Sequence, residues 1–270
     1  MKYPIYNEKI KELKKGAQNG YCRICGNYRK LTVDHIPPKS CGNNNRIQIN
    51  YGKGTIISQN GLNCKTICED CNNRLLGSNY DKVLVKLYNE VINLNSSGII
   101  QPRMYFNVDV KGLVRCLLGH FLAINVYDEK RSVKELLNCK LDDDKYINSA
   151  YRNFVLAETD IMKNACCYYW YYPYNEIIIT PYFFKADFLS IPNNKVLFGT
   201  VIKCFPIALY IVDTNSSTVS IECPSIDFNK DNIVLDFEYI VKIDFPEKPS
   251  SNEIIGLNMG ASFEVINKAL

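Results

Sequence analysis

Cys22-Arg23-Ile24-Cys25 and Cys68-Glu69-Asp70-Cys71 are the stretches whose reading decides the fold of the first third of the chain. Each is a Cys-x-x-Cys, a spacing at which one tight turn presents two thiols to one centre. Two such pairs supply the four thiolates of a tetrahedral zinc. A site closed by four thiolates leaves no position for water, so its ion is structural. The 42 residues between the pairs exceed what a simple zinc ribbon requires, so a further unit is inserted there. Cys41 and Cys64 fall off the zinc spacing; Cys64 is expected to pack, although its nearness to Cys68 makes ligand exchange conceivable.

This reading requires reduced thiols. The chain has 12 cysteines in 270 residues, well below the roughly 8–10% typical of a disulfide scaffold. The opening Met1-Lys2-Tyr3-Pro4-Ile5-Tyr6 lacks the apolar core of a secretory signal, so a cytoplasmic location is expected. The most apolar run, Val196 to Val212, is interrupted by Lys203 and Pro206 and is rich in β-branched residues, which suits a buried strand; no membrane contact is expected. With 47% apolar and 22% charged residues the chain can build a core, and wholesale disorder is excluded.

Inside the insert stands Leu31-Thr32-Val33-Asp34-His35-Ile36-Pro37-Pro38-Lys39-Ser40. Leu31 to Val33 reads as a strand that Pro37-Pro38 ends. Neighbouring residues on a regular strand face opposite ways, so Asp34 and His35 share one site only if the strand bends. A carboxylate holds a hard cation such as Mg²⁺, and a neutral imidazole takes a proton from water near neutral pH. Asn63 precedes the second cysteine pair and Asn72 follows it directly. On the first turn of a helix started at the zinc, Asn72 becomes an oxygen ligand to the same cation, while Asn63 fixes the intervening loop or orients His35. Taken singly, each Asn reads as turn or cap chemistry.

Further out, Lys9 to Lys15 is a short basic helix ended by Gly16, and the polar stretch Cys41 to Gly61 reads as loop. A helix starts near Glu69 and continues through the apolar stripe Leu84, Leu87, Tyr88 and Val91. Asn95-Ser96-Ser97-Gly98 reads as a linker, which divides the chain into residues 1–98 and 99–270. The second part is expected to be α+β. Its strand at Arg103–Val110 is followed by helices over Lys111–Asn125, Glu129–Cys139 and Asp144–Glu158. Strand-like runs then cover Ala165–Tyr172, Glu176–Phe184, Lys195–Val212, Thr218–Cys223 and Ile233–Phe245. The aromatic run around Tyr168–Tyr172 is read as a buried strand in preference to a base-stacking platform, and His120, in an apolar helix, as a satisfied core histidine.

Residues 1–95 hold 15 Lys/Arg against 7 Asp/Glu, a balance of +8, and the remainder is −4. A basic first third suits a polyanion; on charge alone, an ordinary solvated face is the preferred reading.

The residues Cys22–Cys25, Leu31–Ser40, Asn63 and Cys68-Glu69-Asp70-Cys71-Asn72-Asn73, followed by Leu76-Gly77 and Asp81, resemble the zinc-containing HNH endonucleases of the His-Me (ββα-metal) finger superfamily. The resemblance spans about residues 20–92. It implies an α+β chain with an N-terminal ββα-metal module and a DNA-cleaving activity. In that pattern His35 takes the place of the general base, Asn63 that of the central Asn, and Asn72 that of the final position. Asp34 and Asn72 match the ligands of a catalytic Mg²⁺ or Mn²⁺, and the four cysteines match the structural zinc. With Asn at the last position the chain is an HNN variant, which favours Mg²⁺ or Mn²⁺ over softer metals. Leu75 stands where many relatives carry Lys, which leaves Lys39 and Arg74 as candidate phosphate contacts. The acidic residues 99–270 are expected to regulate, sense a ligand or bind a protein partner, an arrangement that suits bacterial or phage defence by analogy. Two alternatives stand beside this reading: a non-catalytic zinc module that binds nucleic acid or protein, and an RNA-cleaving toxin.

Overall fold

The computed structural model describes residues 14–51, 54–98, 101–124, 133–138, 149–160, 162, 164–174, 176–187, 195–214, 223–238 and 263–267. It is a mixed α+β structure, as the sequence suggests. Strands β1 (Asn19–Tyr21), β2 (Tyr28–His35) and β5 (Asn63–Cys68) form a small antiparallel sheet in the order β1-β2-β5. The chain leaves β5 directly into a π-helical segment, Asp70–Tyr80, which runs on as helix α1, Asp81–Ser97. The apolar stripe expected for this helix is observed: Leu84, Leu87 and Val91 are buried.

Helix α2 (Val110–Ile124) lies against β5, the π-helical segment and α1. It is apolar on nearly every side because it is buried on nearly every side. Its packing is close: a Cβ placed on Gly119 would fall 2.4 Å from Leu76 Cδ2, so a larger residue there would force the Leu76 side chain to shift. Its last turn is tied down by Thr66, whose hydroxyl donates to the Ala123 carbonyl at 2.5 Å. Short helices α3 (Val133–Asn138) and α4 (Ser149–Val155) occupy parts of the longer helices expected there.

The second sheet has seven strands, ordered β4-β3-β12-β8-β9-β10-β7. Its members are β3 (Ile47–Tyr51), β4 (Gly54–Ser58), β7 (Ala165–Tyr171), β8 (Glu176–Asp187), β9 (Lys195–Cys204), β10 (Ile207–Asp213) and β12 (Phe263–Asn267). The expected single strand over 195–212 is two, with Phe205-Pro206 in the turn between them. Strand β7 alternates as a two-faced strand must. Cys167, Tyr169 and Tyr171 join the main core, while Trp170 and Tyr172, just beyond its end, join a smaller cluster with Tyr210 and Val212. The aromatic run is therefore core, not an exposed platform. A two-stranded sheet pairs β6 (Arg103–Asn107) with β11 (Asn232–Asp236). The expected strand over 218–223 lies almost wholly outside the described residues, as do residues 9–13 of the expected basic helix and the end of the strand beyond residue 238.

Two expectations need correcting. The stretch from Cys41 to Gly61 is not a loop: Lys39–Cys41 is a short 3-10 turn, and β3 and β4 form a hairpin. That hairpin joins the second sheet through β12, where Ile49 pairs with Val265. Frequent Asn and Gly masked the alternation of Ile47, Ile49, Ile56 and Ser58. Nor is Asn95–Ser97 a linker. α1 runs through it, with the Ser96 and Ser97 hydroxyls donating to the carbonyls of Ile92 and Leu94, and Gly98 ends it in the left-handed conformation at φ 69°. One buried cluster runs from Cys22 to Leu235, so residue 98 does not separate two cores. No helix among the described residues is long and apolar enough to cross a membrane.

Candidate functional site

The four cysteines of the paired motifs converge. The Sγ atoms of Cys22, Cys25, Cys68 and Cys71 all lie within 4.8 Å of one another, and none forms a disulfide. Cys22 sits in the turn between β1 and β2, where the Gly26 N–H donates to the Cys22 carbonyl at 2.8 Å and Gly26 takes φ 75°. Cys68 ends β5, and Cys71 lies one helical turn on. The Cys68 N–H donates to Cys22 Sγ at 3.3 Å, the kind of backbone contact that stabilises a thiolate. Hydrogen bonding from Cys22, Cys68 and Cys71 holds the Cys25 thiol well below its usual range. This donor set suits zinc. Cys64 is no part of it: it is buried among Thr66 and Ala123, and burial pushes its thiol up.

From this centre the chain builds outward to His35. β2 and β5 pair with Leu31 opposite Cys68 and His35 opposite Asn63, and an irregularity falls between Thr32 and Asp34. The His35 ring is hydrogen-bonded to the backbone of Asn60, and its Nε2 has no partner among the described residues. Burial first, then the charge of Lys39, pushes its pKa below the ordinary 6.5, which keeps the ring neutral at neutral pH. Asn63 braces the loop before it. Its amide nitrogen donates to the carbonyls of Asn60 at 3.0 Å and Gly61 at 3.3 Å, holding the loop that holds His35.

The sequence reading missed Asn43. Buried in the core, it donates to the carbonyls of Pro37 at 2.7 Å and Leu62 at 2.9 Å, and accepts from the Leu62 N–H at 2.7 Å. It thus ties the segment after His35 to the loop before Asn63. Within Gly42-Asn43-Asn44-Asn45 nothing local marks this Asn as different from its neighbours.

Asn72 and Asp34 are placed differently from the expected cation ligands. The Asn72 amide nitrogen clasps β2, donating to the Val33 carbonyl at 2.8 Å and Thr32 Oγ1 at 3.1 Å. Asp34 turns into the core. It is only 3% exposed, and its Oδ2 lies 2.9 Å from His120 Nδ1 on α2. The other ring nitrogen of His120 lies 3.0 Å from Asp81 Oδ1. Burial works against protonation of His120, but the two carboxylates outweigh it and raise its pKa well above 6.5. His120 is thus a satisfied buried histidine, as its apolar surroundings suggest. With Asp34 committed to the core and Asn72 to the backbone of β2, the pair forms no cation cage as placed.

Of the candidate phosphate contacts, Lys39 is exposed beside His35, and exposed Arg74 shares Asp70 with Arg29. Comparison with protein-family models, with curated proteins and with solved structures found no match.

Proposed function

We propose that the chain is an endonuclease that hydrolyses phosphodiester bonds in DNA, with His35 as general base. The observation that carries this reading is the state of the His35 ring. One face of it is anchored on Asn60, the anchoring loop is braced by Asn63, and an unpartnered Nε2 belongs to an imidazole held neutral. Those are two of a base's needs, a fixed orientation and a pKa below the working pH; the uncommitted Nε2 is itself buried, so the reading requires the segment over it to open to water and substrate. In the reaction, Nε2 takes a proton from water as the water oxygen attacks phosphorus. The bond from phosphorus to the 3′ oxygen breaks, and the departing oxygen takes up a proton from solvent. Lys39 and Arg74 supply positive charge for the phosphate backbone. The +8 balance of residues 1–95 favours the same polyanion. The zinc holds β5 and the helix after it against β2, and so holds the site in shape.

The commitment of Asp34 to His120 favours a second reading, a zinc module that binds nucleic acid or protein without cutting. One assay separates the readings. Purified protein and its His35→Ala variant are incubated with plasmid, single-stranded DNA and RNA, with Mg²⁺, Mn²⁺ or EDTA. The nuclease reading expects DNA cleavage that the variant loses by about 10²–10⁴-fold. No cleavage of any substrate supports the binding module, undiminished cleavage by the variant removes His35 from the mechanism, and cleavage of RNA alone makes the chain a ribonuclease.

A further inference from the structure

Behind the small sheet lies a second group of metal-ligating side chains, apart from the four cysteines. Cys116 and His120 stand four residues apart on α2, so they share one face of the helix. Asp81, the first residue of α1, meets both: its Oδ1 lies 3.0 Å from His120 Nε2 and 3.4 Å from Cys116 Sγ. The three donor atoms all lie within 4.8 Å of one another. Cys116 and His120 are buried, and the Asp81 side chain is 17% exposed.

We propose that Asp81, Cys116 and His120 form a second zinc site, with Asp34 as the carboxylate that fixes the His120 ring. Three observations carry it. The first is spacing. Donors on a tetrahedral zinc at about 2.0 Å for nitrogen and oxygen and about 2.3 Å for sulfur stand about 3.3 Å apart for N···O and about 3.5 Å for S···O. The observed separations of 3.0 and 3.4 Å need only small adjustments to reach those values. The second is the Asp34 contact. A metal-bound histidine donates its other ring N–H to a carboxylate, which sets the tautomer and turns the remaining nitrogen to the metal. Asp34 Oδ2, 2.9 Å from Nδ1, is that carboxylate. This gives Asp34 a role that its burial allows. The third is the thiol. A protonated imidazole between two carboxylates would already be satisfied and would have no use for Cys116. A sulfur aimed at Asp81 completes a three-donor set of the kind zinc takes.

Without metal, burial pushes the Cys116 thiol up to about 12, so it donates to Asp81; a zinc ion displaces that proton. Cys41 and Cys204 both feel the charge of Cys116 and His120. Zinc here would join β2, α1 and α2, and so would lock the helix of the second part onto the strand that carries His35.

The site stands independently of the nuclease reading, and its test is metal content. Full-length protein is incubated with Zn²⁺, desalted and analysed for zinc and for protein. The expected result is about two ions per chain, falling to about one in Cys116→Ser and in His120→Asn, and to about one in Cys68→Ser. His35→Ala should keep both ions whether or not the protein cuts DNA. Asp34→Asn should keep the cysteine-bound ion and weaken the second by about 10–100-fold, because it removes only the outer carboxylate. Exchange with Co²⁺ adds a signature, since the four-sulfur site and a site with one sulfur absorb differently. Wild-type protein that holds a single zinc, lost in Cys68→Ser and unaffected in Cys116→Ser, would overturn the proposal, and that wild-type measurement does not depend on any variant folding.

Discussion

The two histidines of this chain sit close enough for the charge of His120 to lower the pKa of His35, yet they are opposites. His35 ends a strand, is half-buried and leaves one ring nitrogen unpartnered; burial and Lys39 keep it neutral. His120 is buried in the middle of α2 with a carboxylate on each nitrogen, and those carboxylates favour its charged form. The difference is not burial, since burial depresses both. It is what stands opposite the ring: a backbone group and a lysine for one, Asp34 and Asp81 for the other. His35 keeps one buried nitrogen uncommitted on a neutral ring, whereas both nitrogens of His120 are engaged.

This contrast can be broken at several depths. The largest effect should come from the four-cysteine centre, whose proposed zinc braces the strands that carry His35. Cys68→Ser, or stripping by a strong chelator, removes an ion whose binding in small zinc modules is worth about 10–16 kcal/mol. Circular dichroism should then show loss of ordered structure around β2 and β5, and a full native melt in the stripped protein would contradict a structural zinc. Next comes His35→Ala, which should abolish cleavage yet leave the melting temperature nearly unchanged, since the ring makes little of the core. His120→Ala should do the reverse in kind. It leaves the buried Asp34 carboxylate without its partner and should cost about 3–5 kcal/mol in denaturant unfolding. If His120→Ala proved harmless and His35→Ala unfolded the protein, the assignment of roles would be inverted.

Two smaller effects sharpen the picture around His35. Asn43→Ala removes three buried hydrogen bonds and should cost about 1–3 kcal/mol, with a loss of cleavage as the loop behind His35 loosens. Lys39→Ala weakens phosphate contact and also acts on the titration of His35, which the pH profile reads separately. A depressed pKa keeps the base neutral as pH falls, so cleavage should persist below pH 6.5 in the wild type. Without the lysine the pKa rises and the acid limb of the rate profile moves to higher pH. A limb that moves lower, or stays fixed, would mean that Lys39 does not act on His35.

Much of the first third was legible because its determinants are local. Two Cys-x-x-Cys turns fix their own geometry over four residues each, Pro37-Pro38 stops β2, and the stripe Leu84, Leu87 and Val91 repeats at helical spacing. Asn63 was legible too, since it braces residues only two and three positions away. The alternation of the Tyr168–Tyr172 run likewise announced a strand with two buried faces.

The rest depended on pairings across long stretches of chain. Asp34 reads in sequence as the neighbour of His35, but its partner is His120, 86 residues on, and the next link to Asp81 spans 39. The β3–β4 hairpin was hidden by its turn residues, and its place in the second sheet is set by β12 near the far end of the chain. A side chain's identity fixes which chemistry it can perform, and short spacing fixes which turn or helix face it occupies. Which carboxylate faces which imidazole depends on how α2 packs over β5, and that packing is decided by burial summed over a core running from Cys22 to Leu235, which no local stretch of sequence contains.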